Sequence, residues 1–277
     1  MNIKNTNFHK DEYKKYRLLR KIRPSIFSDL ILKIIGVGGR RIIFKYDSIE
    51  LYINPLNSLG HDFIYNGVYE DETFEIIRQY LLPGSLFVDI GANEGVFSAF
   101  AGSIVGDSGI VIAIEPQSRL IDIIKINLSL NRVKNYHILQ NAISDTNDKL
   151  TLNLFPENNT GASSLFKKYR LSSQRELVET ITFESVVNKL NIKKINFIKI
   201  DVEGYEGRVI QSLLKIIKIG IVEYLYVDYH REILEKNDYV TNEIHNSILS
   251  HGMKYVKGDS DLFSGYILYK SINYLEN

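Results

Sequence analysis

The stretch Leu86–Gly95, which reads LFVDIGANEG, decides the fold of this 277-residue chain. Its first five residues are mostly apolar, as in a buried strand, and a mainly apolar segment up to Ile104 follows as a predicted helix. Gly91 and Gly95 allow the chain to turn tightly and a ligand to approach the backbone closely. The first turn of the helix leaves backbone N–H groups free. The stretch therefore predicts a strand, a ligand-binding turn and a helix.

Strands and helices continue to alternate towards the C-terminus, apart from an insertion predicted within residues 150–182. Short apolar strands that alternate with helices are typical of a parallel sheet covered on both faces, here a Rossmann-like α/β fold. The last two strands, joined by a short polar loop, predict an antiparallel pair at one edge. The predicted strands are Ile110–Ile114, Tyr136–Ile143, Ile195–Ile200, Ile221–Asp228, Met253–Val256 and Tyr266–Tyr269, and the helices are Ser118–Leu130, Tyr205–Ile217 and residues 240–250.

The residues before the sheet are predicted to form a small appendage. Residues 1–23 carry eight Lys or Arg residues against two acids, and Arg41–Lys45 and Glu50–Ile53 have the composition of short strands. Charge runs usually face water, so we interpret the basic segment as a solvated helix. The alternative is an arm that contacts an anionic partner. The sequence thus divides into residues 1–60, a basic helix and short-strand appendage, and residues 61–277, the main domain.

Composition excludes several classes of site. Lys and Arg total 34 against 33 Asp and Glu, so the net charge of +1 gives no overall reason to expect nucleic acid as a partner. The chain has no cysteine, which excludes disulfides, thiolate metal sites and a cysteine nucleophile. No apolar run is long enough to span a bilayer, and no secretory leader is visible. We therefore expect a cytoplasmic protein without a membrane span.

The glycine turn differs from a dinucleotide-binding turn. That turn needs the spacing G-x-G-x-x-G, whereas Asp89–Gly95 reads D-x-G-x-N-x-G. A carboxylate at the end of the strand would repel a pyrophosphate but suits a ligand that carries an ammonium group and a sulfonium. Glu115 ends the next strand, where an acid can accept hydrogen bonds from both ribose hydroxyls. These features favour S-adenosylmethionine over NAD as the ligand.

Acidic residues and a histidine follow two further strands. Asp201 and Glu203 lie two positions apart, so both project to the same side if the strand geometry continues. Asp228 and His230 end the next strand. Because the carboxyl ends of parallel strands form the ligand crevice, we predict that these groups meet near the transferred methyl group.

Two mechanisms fit these groups. His230 or a carboxylate could take the proton of an acceptor hydroxyl. The alternative, Mg²⁺ that lowers the pKa of the acceptor, is less favoured because no ligand spacing requires it. Structural roles also remain open: Glu203 as the acid of a helix first turn, Asp201 as an ion-pair partner of Lys199, and His230 as a surface residue.

The chain resembles the FkbM-type methyltransferase family. The resemblance implies a class I methyltransferase sheet of seven strands with the last pair reversed, and O-methylation of sugars or natural-product hydroxyls. Residue 183 is Phe, where the family often has Asp, and residues 1–40 have no clear counterpart. The motifs that carry the resemblance are Phe63–Glu70, Val88–Gly95, Ile114–Pro116, Asn141–Ser144, Gly161–Leu165 and Ile198–Glu206.

The resemblance also implies site residues. Glu115 would hold the ribose, and Asp201 and Glu203 would face the reaction centre with a small-molecule or carbohydrate acceptor. Asn141 and Ala142 would lie near the adenine. The methionine part would lie against the turn residues Asp89, Gly91, Ala92, Asn93 and Gly95.

Two other functions are weighed against a methyltransferase. One is an inactive partner protein that binds the cofactor, against which the acidic crevice argues. The other is a dinucleotide-dependent oxidoreductase, against which the glycine spacing argues.

Overall fold

The computed structural model describes residues 41–55, 57–67, 69–155, 160, 163, 174–237, 239–259 and 264–274. The basic helix predicted within residues 1–23 lies outside these ranges. The strands are β1 Ile42–Tyr46, β2 Ile49–Ile53, β3 Leu86–Ile90, β4 Ile110–Ile114, β5 Tyr136–Leu139, β6 Ala142–Ile143, β7 Lys149–Leu154, β8 Gln174–Ile181, β9 Ile195–Ile200, β10 Val222–His230, β11 Met253–Gly258 and β12 Ser264–Ser271. The α-helices are α1 Ser58–His61, α2 Asp71–Tyr80, α3 Val96–Val105, α4 Ser118–Leu130, α5 Phe183–Lys189, α6 Glu206–Lys218, α7 Arg231–Glu235 and α8 Thr241–Ser250; a π-helical turn, Asp62–Asn66, follows α1.

Seven strands form the main sheet, in the order β11-β12-β10-β9-β3-β4-β5. The five strands β10, β9, β3, β4 and β5 are parallel to one another. Strand β12 pairs antiparallel with both of its neighbours, β10 and β11. The predicted Rossmann-like sheet with an antiparallel C-terminal pair is therefore confirmed. The chain leaves β3 for β4 on one side and returns to β9 on the other, so the strand order reverses there. Ligands of open α/β sheets bind at such a reversal, beyond the carboxyl ends of the strands.

The central strands are apolar throughout because both of their faces are buried. On β3, Val88 and Ile90 pack in one hydrophobic cluster, whereas Phe87 packs in a second cluster on the other face. Residues of a strand alternate between faces, so Asp89 shares the face of Phe87. Asp89 lies opposite Lys199 of β9 in the sheet register. One face of the sheet thus buries an acid and a lysine side by side.

The predicted insertion is a small sheet of its own. β7 and β8 pair antiparallel, and β6 pairs in parallel with β8, so the strand predicted over Tyr136–Ile143 is divided between two sheets. Helix α5 was not predicted because only seven residues form it. Thr182 caps this helix, since its hydroxyl accepts a hydrogen bond from the backbone N–H of Ser185 at 3.2 Å.

The β1–β2 hairpin packs against the main domain. Its buried residues Ile49, Leu51 and Ile53 belong to the same hydrophobic cluster as Phe87 of β3. Asn127 of α4 accepts a hydrogen bond from the backbone N–H of Tyr52 at 2.5 Å. The division at residue 60 stays a prediction, because residues 1–40 lie outside the described ranges. Within those ranges, every helix is too short or too polar to cross a membrane.

Candidate active site

A cavity of about 210 Å³ opens at the carboxyl ends of the central strands. The ends of β3 and β4 contribute Gly91, Asn93 and Glu115, and the end of β9 contributes Asp201 and Glu203. Residues beyond β5 add Asn141 and Ala142 to the wall. The structure therefore brings together seven residues that the sequence predicted for one site.

The glycine turn packs closely on its neighbours. The backbone N–H groups of Gly91 and Ala92 both donate to the carbonyl oxygen of Ile114, at 2.9 and 3.1 Å. Gly91 has a φ of 82°, and a Cβ atom at this position would lie 1.9 Å from the carbonyl oxygen of Asp201. Only glycine allows the turn to contact the end of β9 in this way.

Glu115 holds the turn from the end of β4. Its carboxylate accepts hydrogen bonds from the backbone N–H of Asn93 at 2.8 Å and of Gln117 at 2.9 Å. The side chain is buried, and burial raises the pKa of Glu115 to about 7 against the opposite effect of these hydrogen bonds. Each oxygen still has a lone pair for a further donor. The group can accept hydrogen bonds from ligand hydroxyls in the cavity.

We expect the variant Glu115→Gln to bind S-adenosylmethionine about 1.5–3 kcal/mol more weakly, the range of a hydrogen bond to a charged group. Because the pKa of Glu115 is raised to about 7, the wild-type carboxylate is lost as the pH falls through 7. Wild-type affinity should thus weaken between pH 8 and pH 6, whereas the affinity of the variant should not. Calorimetry at both pH values tests this, and equal pH dependence would remove Glu115 from the ligand contacts.

Three predicted cofactor residues, Asp89, Ala92 and Gly95, do not line the cavity. Asp89 is fully buried behind it, where the Ser98 hydroxyl donates to its carboxylate at 2.6 Å. Burial raises the pKa of Asp89, against the lowering effect of Lys199. Gly95 instead allows α3 to start close to Ile124. Their expected contact with the cofactor stays a prediction. In the structure these residues lie in or next to the glycine turn but outside the cavity lining.

Arg41 ties the glycine turn to the N-terminal hairpin. Its guanidinium forms two parallel hydrogen bonds with the carboxylate of Glu94, at 2.7 and 2.9 Å. Glu94 is fully buried, and Asn57 donates to the same carboxylate at 2.7 Å. Thr160, from the insertion, donates to the side-chain oxygen of Asn93 at 3.1 Å. Segments far apart in the sequence thus fix the turn.

Several residues of the cavity wall were missed from sequence: Asn57, Tyr69, Glu70, Gln117, Thr160 and Tyr205. Among them, Glu70 is the best suited to proton transfer near neutral pH, because burial and then the charge of Asp201 raise the pKa of its carboxyl to about 7. Glu70 as a whole residue is exposed. Tyr69 and Glu70 end a motif that carries the family resemblance, and that motif was the available signal.

Lys199 balances the acids at the ends of β3 and β9. Its ammonium lies 3.2 Å from the carboxylate of Asp201 and 4.0 Å from that of Asp89, and its side chain is only 2% exposed. Burial raises the pKa of Asp201, but the charges of Lys199 and His230 outweigh it and hold the pKa below its ordinary value. The ion pair considered from the sequence is therefore present. Asp201 is a weak base that still reaches the cavity.

His230 lies between three carboxylates. Its Nδ1 is 2.8 Å from Glu206, and its Nε2 is 3.6 Å from Glu203 and 4.0 Å from Asp201. Burial lowers the pKa of His230, but the carboxylates, Glu206 first, raise it to about 10. The imidazole is thus protonated at neutral pH and cannot accept a proton there. Neither His230 nor Asp228, whose pKa is raised to about 6 by burial and by Asp201, lines the cavity.

The same groups were considered as a Mg²⁺ site. Ligand atoms of Asp201, Glu203 and His230 lie within 4.8 Å of one another, a spacing that a metal ion could bridge. A metal would require neutral His230 and would share Asp201 with Lys199 at 3.2 Å. Lys199 and His230 already face these carboxylates as cations of the protein. This arrangement favours a salt-bridge network over a metal site.

Comparison with known families matches residues 89–255 to the methyltransferase FkbM domain. Methyltransferase 1 of Beauveria bassiana (strain ARSEF 2860) is 24% identical over 185 residues, which are 60% of this chain and 73% of the relative. A protein assigned as an rRNA methylase from Clostridium thermocellum is 13% identical, with a TM-score of 0.49 over 74% of this chain and 96% of its own. Fibrillarin, a pre-rRNA processing protein of Methanococcus jannaschii, is 15% identical, with a TM-score of 0.46 over 85% of this chain and 84% of its own.

The family match runs from the end of β3 into β11, which is more than half of the chain. It confirms the resemblance that the motifs indicated and, with it, S-adenosylmethionine as the cofactor. A dinucleotide-dependent oxidoreductase is not supported. The chain belongs to the FkbM family of S-adenosylmethionine-dependent methyltransferases.

Proposed function

We propose that the enzyme methylates a hydroxyl oxygen on a small-molecule or carbohydrate acceptor. The observation that carries this proposal is the set of carboxylates that line the cavity beside the glycine turn, Glu70, Asp201 and Glu203. They share the cavity with the glycine turn and Glu115. Carboxylates accept hydrogen bonds from hydroxyl groups and can take a hydroxyl proton. The same charges would repel the phosphates of a nucleic acid.

The strand order β9-β3-β4-β5 separates the lining residues that follow β9 from those that follow β4 and β5, which supports an assignment of these residues. Glu115 would accept hydrogen bonds from the ribose hydroxyls, with Asn141 and Ala142 beside the adenine. Gly91 and Asn93 would contact the methionine part. S-adenosylmethionine supplies a methyl group on a positively charged sulfur. Asp201 and Glu203, which follow β9, would then face the acceptor.

The chemical step needs orientation and a proton acceptor. The acceptor oxygen forms a bond to the methyl carbon as the carbon–sulfur bond breaks, and the hydroxyl proton passes to a carboxylate of the protein. The residues around the cavity hold the two reactants in line, which removes much of the entropic barrier. His230 orients Glu203 and Asp201 from behind through its contacts with them. In this mechanism it is a positioning residue.

Transfer of tritiated methyl groups tests the acceptor class. The acceptors are methyl α-glucopyranoside, catechol, an alkylamine and a short RNA, each with and without enzyme. We expect labelled methyl ethers from hydroxyl acceptors and no labelled RNA. Label in the amine or the RNA alone would contradict hydroxyl methylation. Tight binding of S-adenosylmethionine without transfer to any acceptor would support the inactive partner protein instead.

The variant Asp201→Asn should keep cofactor binding and lose turnover by about 10²-fold, the effect of removing one preorganised charge at a reacting centre. The amide keeps the shape of the side chain but removes the charge that Lys199 and His230 face. Single-turnover rates and cofactor titration measure the two effects separately. The control is Asp122→Asn, in an exposed ion pair with Lys125, neither of which lines the cavity. Unchanged turnover in Asp201→Asn would remove Asp201 from the reaction.

A further inference from the structure

We propose that Glu70 is the general base, the group that takes the proton from the acceptor hydroxyl. This proposal rests on hydroxyl methylation as the reaction. Glu70 does not end a strand of the sheet. It immediately precedes α2, with a φ of 43°, and its side chain lines the same cavity as Asp201 and Glu203. It therefore approaches the reaction centre from an element that the strand-end argument does not consider.

The carboxylates of Asp201 and Glu203 already face cations of the protein. Asp201 is paired with the ammonium of Lys199 at 3.2 Å, and Glu203 faces Nε2 of His230 at 3.6 Å. His230 itself is held between Glu203 and Glu206. Among the described residues, Glu70 forms no ion pair with a lysine, arginine or histidine. A carboxylate without a cationic partner keeps its electron pairs and its affinity for a proton.

The surroundings of Glu70 adjust its proton affinity to this role. The groups that act on it are Asp201, Asp228, Lys199 and the neighbouring Tyr69, which forms a side-chain hydrogen bond with it. Burial and the two aspartates raise the pKa of Glu70 to about 7, and Lys199 and Tyr69 only partly oppose this shift. A base whose pKa lies near the working pH combines a large ionised fraction with a strong drive for proton transfer.

The step balances without any further reactant. The acceptor O–H bond breaks as the new carbon–oxygen bond forms and the carbon–sulfur bond of the donor breaks. The proton moves to the carboxylate of Glu70, and the sulfur leaves uncharged. Because Glu70 is an exposed residue, it can release the proton to water before the next turnover.

The test is Glu70→Gln with saturating S-adenosylmethionine and methyl α-glucopyranoside as the acceptor. We expect kcat to fall by about 10²–10⁴-fold, the usual contribution of a general base, and cofactor affinity to stay the same. The wild-type kcat should rise with pH up to about 7 and then level off, and this rise should be absent from the variant. The matched control is Glu72→Gln, an exposed acid on the first turn of α2. It should behave as wild type.

The possible results distinguish the role of Glu70 as the base from the proposal of hydroxyl methylation itself. A Glu70→Gln variant that transfers methyl groups at the wild-type rate overturns the role of Glu70 and leaves hydroxyl methylation intact. A wild-type enzyme that methylates no hydroxyl acceptor overturns hydroxyl methylation and the base with it. NMR titration of the carboxyl carbons gives a measurement without any acceptor. The signal of Glu70 is assigned as the one that is absent from the spectrum of Glu70→Gln. In the wild-type enzyme this signal should titrate near pH 7, and titration in the ordinary carboxyl range would contradict the proposal.

Discussion

The variant Arg41→Met is expected to lower the free energy of unfolding by about 3–5 kcal/mol, because it leaves a buried carboxylate without its cation. The carboxylate is that of Glu94, which is fully buried in the glycine turn. Arg41 contacts both of its oxygens, and Asn57 contributes one further donor that cannot neutralise the charge. Since Glu94 lies between Asn93 and Gly95, the variant should also disturb the turn that lines the cavity.

Urea unfolding measures this loss, and two further variants identify its cause. Arg231→Met removes an exposed i,i+4 pair with Glu235 and should cost no more than about 0.5 kcal/mol. Adding Glu94→Gln to Arg41→Met removes the orphaned charge and should restore much of the stability. If Arg41→Met and Arg231→Met cost the same, the buried ion pair does not hold the turn.

The strand-end half of the site could be predicted because its residues are local to a recognisable element. Gly91 and Glu115 each follow a buried strand, and parallel strands bring their carboxyl ends to one edge of the sheet. Pattern and topology then suffice to place them in one cavity. Asp201 and Glu203 reach the cavity for the same reason. The strands themselves were predictable since their two buried faces require nearly continuous apolar residues.

The other half of the site depends on tertiary packing, which no local pattern encodes. Glu70 comes from the start of a helix, Thr160 from the insertion and Asn57 from the segment after the hairpin. Each reaches the cavity only when its segment docks on the sheet. Asp89 gives the opposite case. Its position at the strand end predicts a ligand contact, which stays a prediction, but strand alternation places its side chain on a buried face of the sheet, beside Lys199.

The protonation states of the site residues could not be predicted from the sequence either. His230 has the residue type of a general base, and its place at the end of β10 is as expected. Its protonation depends on Glu206, Asp201 and Glu203, which surround it and raise its pKa to about 10. Anionic neighbours also act on Glu70, where burial first and then the charges of Asp201 and Asp228 raise the pKa to about 7. Which of these groups can accept a proton at neutral pH therefore depends on the packing of charges rather than on residue type.

We expect Gly91→Ala to impair both folding and cofactor binding, with a loss of stability of about 2–5 kcal/mol. Two costs add up: a left-handed backbone for a residue with a Cβ atom, and the overpacking of a tight contact. The new Cβ would lie 1.9 Å from the carbonyl oxygen of Asp201, which is a backbone atom and cannot rotate away. Relief requires that the turn and the end of β9 separate, and this movement would displace Asp201 from the cavity.

Gly84→Ala is the matched control because Gly84 has the same φ of 82°, and its nearest neighbour, the Ser108 hydroxyl, is at an ordinary 3.5 Å. This variant should lose only the free energy of unfolding that the left-handed backbone costs, about 1–2 kcal/mol. It should bind S-adenosylhomocysteine as wild type does. Urea unfolding and calorimetry of both variants separate the effect of backbone strain from that of the steric clash with β9. If Gly91→Ala costs no more than Gly84→Ala and binds the nucleoside normally, the turn does not need its close contact with β9. The acids at the end of that strand would then be positioned by other contacts, with the Lys199 pair the first to consider.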